Sequence, residues 1–442
     1  MDVRTKFRIS RRYLLLTSLL VVVLVSSLFV CVFMTNNFSV ASLENVVHVK
    51  NEVELKNAIN NTPNGGSIII VIDNDIVLVN YYEHNHTYNY QTSTLIIPAN
   101  KDVTLTSNRV NGFYKLIGAV DMPTILVGSG GTLRLDGVIV THKSGVSGCG
   151  VYVMHSGMFY MYSGEISGNT ANKRTFSGGG VIISGGTFVM SGGKISGNVA
   201  DKDGGGVDNY GSFVMSGGEI SGNTAGSSGG GVHLFYPSNF TMSGGTISDN
   251  IANFGGGVHV AHGGFTLSGG EISGNTAVKH GGGVYNAGPH PFVMLGGEIF
   301  GNSAENGGGI YHTYDVFTMS DGKIMGNTAT SSGGGVYSIQ GFNRQGGVIS
   351  DNTAIHGKDV YVFGDSNSGS SNSGGSGGSG GSSNGNGGSS GGNGGLSVGD
   401  GFSLMDVVFV CVGVALGVIG VVVAVLLFTF KKELKHKKEK TV

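Results

Sequence analysis

The stretch Gly204–Ala225 reads GGGVDNYGSFVMSGGEISGNTA and decides the fold. Its pattern recurs several times along the middle of the chain: a glycine triplet with a Val, followed by F-x-M-S-G-G-x-I-S-G-N-T-A. By subtraction, the repeated Asn recurs at spacings of 29, 25, 27, 25, 27, 25 and 25 residues. A period of this size indicates a solenoid, in which each unit buries its apolar face only against its neighbours. The repeated positions are Asn169, Asn198, Asn223, Asn250, Asn275, Asn302, Asn327 and Asn352.

The alternation of residues inside one unit indicates which solenoid forms. Phe213 and Met215 flank Val214, and such period-two runs between glycines are typical of very short strands. Leucine-rich repeats do not fit, because Leu is scarce, and propeller blades need about 40 or more residues. We therefore predict an all-β fold, a right-handed single-stranded parallel β-helix of three short strands per coil. The Val, Phe, Met and Ile would point inward, and the Asn would form an inner hydrogen-bonded ladder.

Six parts are predicted along the chain. A short amphipathic helix at Glu52–Asn60 is expected to cap irregular early coils, because an uncapped end coil exposes unpaired edges. The stretch that follows the repeats is almost only Gly, Ser and Asn, and it cannot bury a core. The parts are a signal peptide or signal anchor (1–41), the cap and irregular coils (43–145), the regular repeats (146–363), a flexible linker (364–402), a transmembrane helix (403–430) and a basic cytoplasmic tail (431–442).

Two apolar segments predict the topology. Tyr13–Met34 follows five basic residues, as in an export signal or an N-terminal anchor, and cleavage after it stays open. Val407–Phe430 carries no charge over 24 residues and precedes six lysines, which the positive-inside rule places in the cytoplasm. We expect a cell-membrane protein with its repeats outside the cell. Three cysteines are too few for a disulfide framework.

The repeat units resemble a known group of proteins. Gly229-Gly-Gly-Val-His and Met215-Ser-Gly-Gly-Glu-Ile-Ser-Gly-Asn-Thr-Ala are similar to the pectin-lyase-like right-handed β-helix repeats of adhesin-like surface proteins. They also resemble the repeats of polymorphic outer membrane proteins, although the predicted C-terminal helix and lysine tail differ from the barrel in which those proteins end. The resemblance covers roughly residues 46–363. It implies a surface location and contact with carbohydrate.

Adhesion or surface display is the function that these patterns favour. A formal net charge of -2 leaves no basic footprint, so nucleic acid is not an expected partner. The expected partners are the membrane and extracellular glycans or a neighbouring or host cell surface. The alternatives are a polysaccharide lyase or hydrolase on the same fold and a purely structural envelope component. The acidic residues of the repeats are mostly single, whereas a glycosidase needs carboxylates gathered on one face. They share one outward position with lysines, namely Glu165, Glu219, Glu271 and Glu298, with Lys194 and Lys323. We therefore predict no catalytic residue and no cofactor.

Two candidate sites remain. The outward position after the inward Val would stack two histidines and three tyrosines on one sheet face, and this glycan-contact strip would support sugar rings; alternatively, its tyrosines only pair with one another as strand residues. The strip is His233, His259, Tyr285, Tyr311 and Tyr337. Asp201, Asp203 and Asp208 surround one glycine triplet and form a weaker candidate for Ca²⁺, against the alternative of a polar loop.

Overall fold

The structure, a computed structural model, describes residues 45–79, 93–108, 112–172, 177–290 and 292–363. These residues form a parallel β-solenoid of about eleven turns, in which each strand pairs with its equivalent in the next turn. The predicted signal or anchor segment, linker, transmembrane helix and basic tail lie outside the described residues. Within the described ranges, no helix has the length and apolar character needed to cross a membrane.

Three parallel sheets form the faces of the solenoid, and a regular coil crosses sheet B once, sheet A twice and sheet C once. Sheet B contains Leu95–Ile97, Ile125–Val127, Val151–Val153, Val181–Ile183, Val207–Asn209, Val232–Leu234, Val258–Val260, Val284–Asn286, Ile310–His312, Val336–Ser338 and Val360–Val362. Sheet C contains Thr170–Ala171, Val199–Ala200, Thr224–Ala225, Ile251–Phe254, Thr276–His280, Ser303–Asn306 and Thr328–Ser332. Sheet A contains Val46–Val49, Ser67–Ile72, Ile76–Leu78, Asp102–Ser107, Lys115–Gly118, Thr132–His142, Met158–Ser167, Thr187–Met190, Lys194–Ser196, Ser212–Met215, Glu219–Ser221, Ser238–Met242, Thr246–Ser248, Gly263–Leu267, Glu271–Ser273, Phe292–Met294, Glu298–Phe300, Phe317–Met319, Lys323–Met325, Phe342–Arg344 and Val348–Ser350. The short strands of sheet C were not predicted.

The core consists of inward side chains that stack from coil to coil. The Val of sheet B and the Phe, Met and Ile of sheet A are buried along the repeats. Eight phenylalanines stack nearly parallel, with neighbouring ring centroids 4.6 to 5.3 Å apart. They are Phe159, Phe188, Phe213, Phe240, Phe265, Phe292, Phe317 and Phe342. This stacking confirms the inward positions that the alternation predicts.

A second inner ladder consists of the eight repeated asparagines, and it confirms the predicted amide chain. In each step the Nδ2 and the backbone N–H donate to the Oδ1 of the next Asn, as from Asn223 to Asn250 at 3.0 and 2.9 Å. The other Nδ2 proton goes to a buried carbonyl, in this case that of Ile195 at 2.9 Å. Buried amides satisfied in this way favour one register of coil on coil.

Both ends of the asparagine ladder are closed by a different side chain. His142 Nδ1 lies 2.8 Å from the Oδ1 of Asn169, the first Asn of the ladder. At the last step Asn352 Nδ2 donates to Asp359 Oδ1 over 2.9 Å. Asp359 stands where the earlier coils have the third glycine of the triplet. Its carboxylate therefore replaces a ninth amide.

The repeat needs glycine for two different reasons, close approach of neighbouring coils and a left-handed backbone conformation. A Cβ on Gly206, the third glycine of its triplet, would lie 2.6 Å from the oxygen of Gly231 in the next coil, so close approach requires glycine there. Gly222, which precedes the repeated Asn, has φ +62° with no atom within 4 Å of a built Cβ. That position needs only the left-handed conformation, and it is filled in other coils by Asp249 and Asp351 at φ 56° and 59°.

The N-terminal end is covered by one helix, α1, at Glu52–Asn61. Its N-cap Asn51 accepts a hydrogen bond from the Glu54 backbone N–H over 3.0 Å, and Leu55 and Ile59 are buried against the first coils. The sequence predicts this helix to within one residue. It also predicts strands at 67–72, 76–79, 94–97, 103–105, 124–127 and 132–140, each of which the structure confirms to within two residues per end. The strands Val46–Val49 and Lys115–Gly118 were not predicted.

Candidate functional site

The predicted glycan-contact strip lies on sheet B, and its five side chains are direct neighbours. The strand register pairs His233 with His259, His259 with Tyr285, Tyr285 with Tyr311, and Tyr311 with Tyr337. Neighbouring ring centroids are 4.5 to 5.3 Å apart, and each pair is stacked except the T-shaped Tyr285–Tyr311 pair. Tyr361 extends the row by one more ring at 4.9 Å.

The strip is less accessible than an outward sheet face implies, and this corrects the sequence expectation. His233, His259 and Tyr311 are buried, whereas Tyr285 and Tyr337 are half-buried. Within the strip, only Tyr285 and Tyr337 keep part of their surface open to solvent.

A second row of side chains, which sequence reasoning missed, covers part of the strip. It consists of the residue that directly precedes each glycine triplet, and Phe254 and His280 contribute its rings. His280 stacks on Tyr311 at 4.3 Å, and Phe254 lies 5.7 Å from Tyr285. The fixed place of these residues before the triplet is the signal that could have found them. Together the two rows form one aromatic band.

Burial changes the proton affinities of the strip. It lowers the pKa of His259 to about 3, and the nearby charges of His233 and His262 act in the same direction. Nδ1 of His259 has no hydrogen-bond partner among the residues that the structure describes. Burial also raises the pKa of Tyr285, Tyr311 and Tyr337. His259 and the three tyrosines are accordingly uncharged at neutral pH.

Asp208 lies in the row of the strip on sheet B, next to His233, and not in a separate acidic loop. It is fully buried, and its Oδ1 lies 2.8 Å from His233 Nδ1. The Ser177 hydroxyl donates to its other oxygen. Burial, followed by the charge of Asp208, raises the pKa of the neighbouring Tyr210 to about 12. The carboxylate of Asp208 is therefore hydrogen-bonded to His233 and Ser177 at the strip's N-terminal end.

The geometry around the three aspartates gives no support to the Ca²⁺ candidate. Asp201 is exposed, Asp203 is partly buried and pairs in a β-bridge with Ser228, and Asp208 faces His233. Across the described part of the chain, no group of three or more His, Cys, Asp or Glu side chains is placed to hold a metal ion.

The acidic and basic residues before the inward Ile form the predicted surface charge ladder. Lys194 Nζ lies 2.9 Å from a Glu219 carboxylate oxygen, and Lys323 Nζ lies 2.6 Å from one of Glu298. The hydroxyl of Ser221 and then Lys194 lower the pKa of Glu219. Glu271 is directly opposite Glu298 in the register, beside an open groove lined by glycines and Asp321. These partly exposed pairs contribute little to stability.

Comparison with known proteins identifies no relative. No protein-family model, curated protein or solved structure matches the chain.

Proposed function

We propose that this chain is a membrane-tethered cell-surface protein whose right-handed β-helix serves adhesion or display and binds glycans weakly. The aromatic band of sheets B and C is the observation that supports glycan binding. Rings stacked in register at coil spacing present flat apolar faces, and the half-buried Tyr285 and Tyr337 among them also carry a hydroxyl. The apolar segments at 13–34 and 407–430 and the lysines after the second support the tether.

The right hand of the coil is part of this proposal. Crossover connections between parallel strands of one sheet are right-handed in about 98% of cases. Each coil of this chain returns to the same sheet in that parallel sense. Similarity of the repeat sequence to pectin-lyase-like adhesins supports the same hand.

The test is a glycan-array screen of the whole protein against a triple variant, Tyr285→Ala with Tyr311→Ala and Tyr337→Ala. We expect at least a tenfold loss of signal, equivalent to about 1.4 kcal/mol. The matched triple Phe variant keeps the ring faces and should retain most of the signal. Because Tyr311 is buried, circular dichroism must first show that the folded state persists. An Ala variant that binds as well as the parent protein contradicts the proposal.

A polysaccharide lyase or hydrolase on the same fold is the second candidate. The facing Glu271 and Glu298 along the groove of sheet A are the observation that favours it, because glycosidases use a pair of carboxylates. Release of saccharide from pectin-like or host glycans, lost in Glu271→Gln, would establish this activity. Binding without release would leave the adhesive function.

A further inference from the structure

An aromatic cluster lies at one edge of sheet B, next to the histidine end of the strip, where its Phe235 ring lies 6.2 Å from His233. It comprises Phe235, Tyr236, His262 and His290, and we call it the aromatic edge. All four residues lie in the loops that lead from a sheet B strand to the following sheet A strand. Phe235 and Tyr236 belong to one coil, and the two histidines to the next two coils. The aromatic edge thus spans three successive coils along the rod.

The alternating repeat length explains why this edge exists. The spacings from Asn223 to Asn250 and from Asn275 to Asn302 are 27 residues, against 25 in the coil between them. The 27-residue coils have longer loops at this corner, which include Phe-Tyr-Pro at 235–237 and Ala-Gly-Pro-His at 287–290. Two long loops therefore flank a short one. Their rings can meet across it.

The rings of the aromatic edge are held in place by contacts between coils. Tyr236 stacks on His290 with centroids 6.0 Å apart at 19°, over the intervening coil. Phe235 meets His262 edge-on at 5.4 Å. Such contacts fix the ring planes before any ligand arrives, which lowers the entropy cost of binding.

Two buried asparagines of sheet B support the loops from below. Asn209 Nδ2 donates to the carbonyl of Asn239 over 3.0 Å, and Asn286 Nδ2 donates to that of His290 over 3.3 Å. At the base, the buried Ser238 hydroxyl has no hydrogen-bond partner in the described structure and faces Gly263, whose built Cβ would lie 2.3 Å away. A buried hydroxyl without a partner among the described residues thus lies directly after the loop of Phe235 and Tyr236.

The surface of the aromatic edge is formed largely by rings and carries no acidic side chain, lysine or arginine. Tyr236 is 63% exposed and Phe235 is 42% exposed, and an exposed patch of large rings is typical of a binding surface. The sequences 235–239, 261–264 and 287–291 contain no Lys, Arg, Asp or Glu. Phosphate-bearing or strongly charged partners find no counter-charge on these loops. Flat rings with imidazole and amide groups around them suit a ligand that has an apolar face and a hydroxyl rim.

We propose that the aromatic edge binds a pyranose ring of a neutral saccharide. The C–H face of the sugar lies on the rings of Tyr236 and Phe235. Its hydroxyls exchange hydrogen bonds with the imidazoles of His262 and His290 and with the exposed Asn239 amide. The inference rests on the proposed function for its ligand class only, because the residues differ from those of the strip.

The experiment measures binding of the whole protein to neutral oligosaccharides on an array and by titration calorimetry. The variants are Phe235→Ala with Tyr236→Ala, and His290→Ala. We expect at least a tenfold weaker association for each and little change between low and moderate salt, because no ion pair contributes. Phe113→Ala is the matched control, since Phe113 is 41% exposed and lies in an earlier coil. Thermal unfolding of every variant should match the parent protein.

The outcomes separate this inference from the proposed function. Lost binding in the edge variants, with full binding in the strip triple, supports the aromatic edge as the site. Full binding in the edge variants, with loss in the strip triple, overturns the inference and leaves the proposed function standing. A parent protein that binds no saccharide overturns both. If the edge variants lose a protein partner and no sugar, the inference is wrong.

Discussion

Removing one amide from the middle of the asparagine ladder is expected to cost more than any surface change in the same coil. Asn250 is fully buried, and its Oδ1 accepts from the backbone N–H and the Nδ2 of Asn223. Its Nδ2 donates to the Ile220 carbonyl and to Asn275 Oδ1, both at 2.9 Å. Asn250→Ala removes all four bonds. Two N–H groups of Asn223 and the Ile220 carbonyl then lose a partner.

The magnitude follows from the cost of an unsatisfied buried polar group, about 1–3 kcal/mol each. Three such groups, with incomplete additivity, give an expected loss of roughly 3–6 kcal/mol in the free energy of unfolding. Asn253→Ala is the control, because Asn253 lies three residues away near the surface and its side chain makes one bond, to the Gly226 carbonyl at 2.7 Å. We expect that variant to lose less than about 1 kcal/mol.

The assay is urea unfolding followed by far-ultraviolet circular dichroism, in parallel with native-state hydrogen exchange. The free energy of unfolding should fall in Asn250→Ala, and the Asn223 amide should exchange its hydrogen faster. Equal stability of Asn250→Ala and Asn253→Ala would refute the reasoning, because the ladder would then carry no more than a surface hydrogen bond does.

Three further outcomes are expected. Gly206→Ala should lower the unfolding midpoint in urea, because its Cβ meets the next coil, whereas Gly222→Asp should leave it nearly unchanged; equal effects would contradict this. As the pH falls below about 6.5, His259 becomes protonated in the unfolded chain, whereas in the folded chain it stays neutral until about pH 3. The free energy of unfolding should therefore fall by up to about 1.4 kcal/mol per pH unit. In His259→Phe this contribution is absent, so the dependence of the free energy of unfolding on pH should be weaker by up to the same amount. Asp359→Ala should speed hydrogen exchange at the Asn352 amide and spare that of Asn250, so uniform faster exchange would count against the capping role.

The regular coils could be predicted because one physical pattern governs each of them. The period-two placement of Phe213, Met215 and their equivalents indicates which side chains point inward. The recurrence of Asn223 every 25 to 29 residues indicates which side chains stack on one another. Stacking of equivalent coils then follows without knowledge of any loop. Arg344 lies where the preceding coil has the inward Met319, and a charged residue at that position indicates an end coil that meets solvent. Arg344 is exposed in the structure.

The accessibility of the candidate site could not be predicted in the same way. Whether Tyr311 is open to solvent depends on how the chain turns from sheet C to sheet B, because that turn places His280 against it. Equally, Asp359 gives no sign in the sequence that it pairs with Asn352 seven residues before it. Such contacts depend on how the backbone turns at a corner, and alternation within a strand carries no information about that turn.

The measurement that tests the stacking of coils most directly is a set of spin-label distances along sheet A. Thr104 is linked by successive strand pairs to Val214, Thr266 and Asn343, which lie four, six and nine coil steps away. At about 4.8 Å per step, the account predicts distances of roughly 19, 29 and 43 Å, each with one narrow peak. Distances that do not increase in proportion to the number of steps would contradict a parallel stack of coils in register.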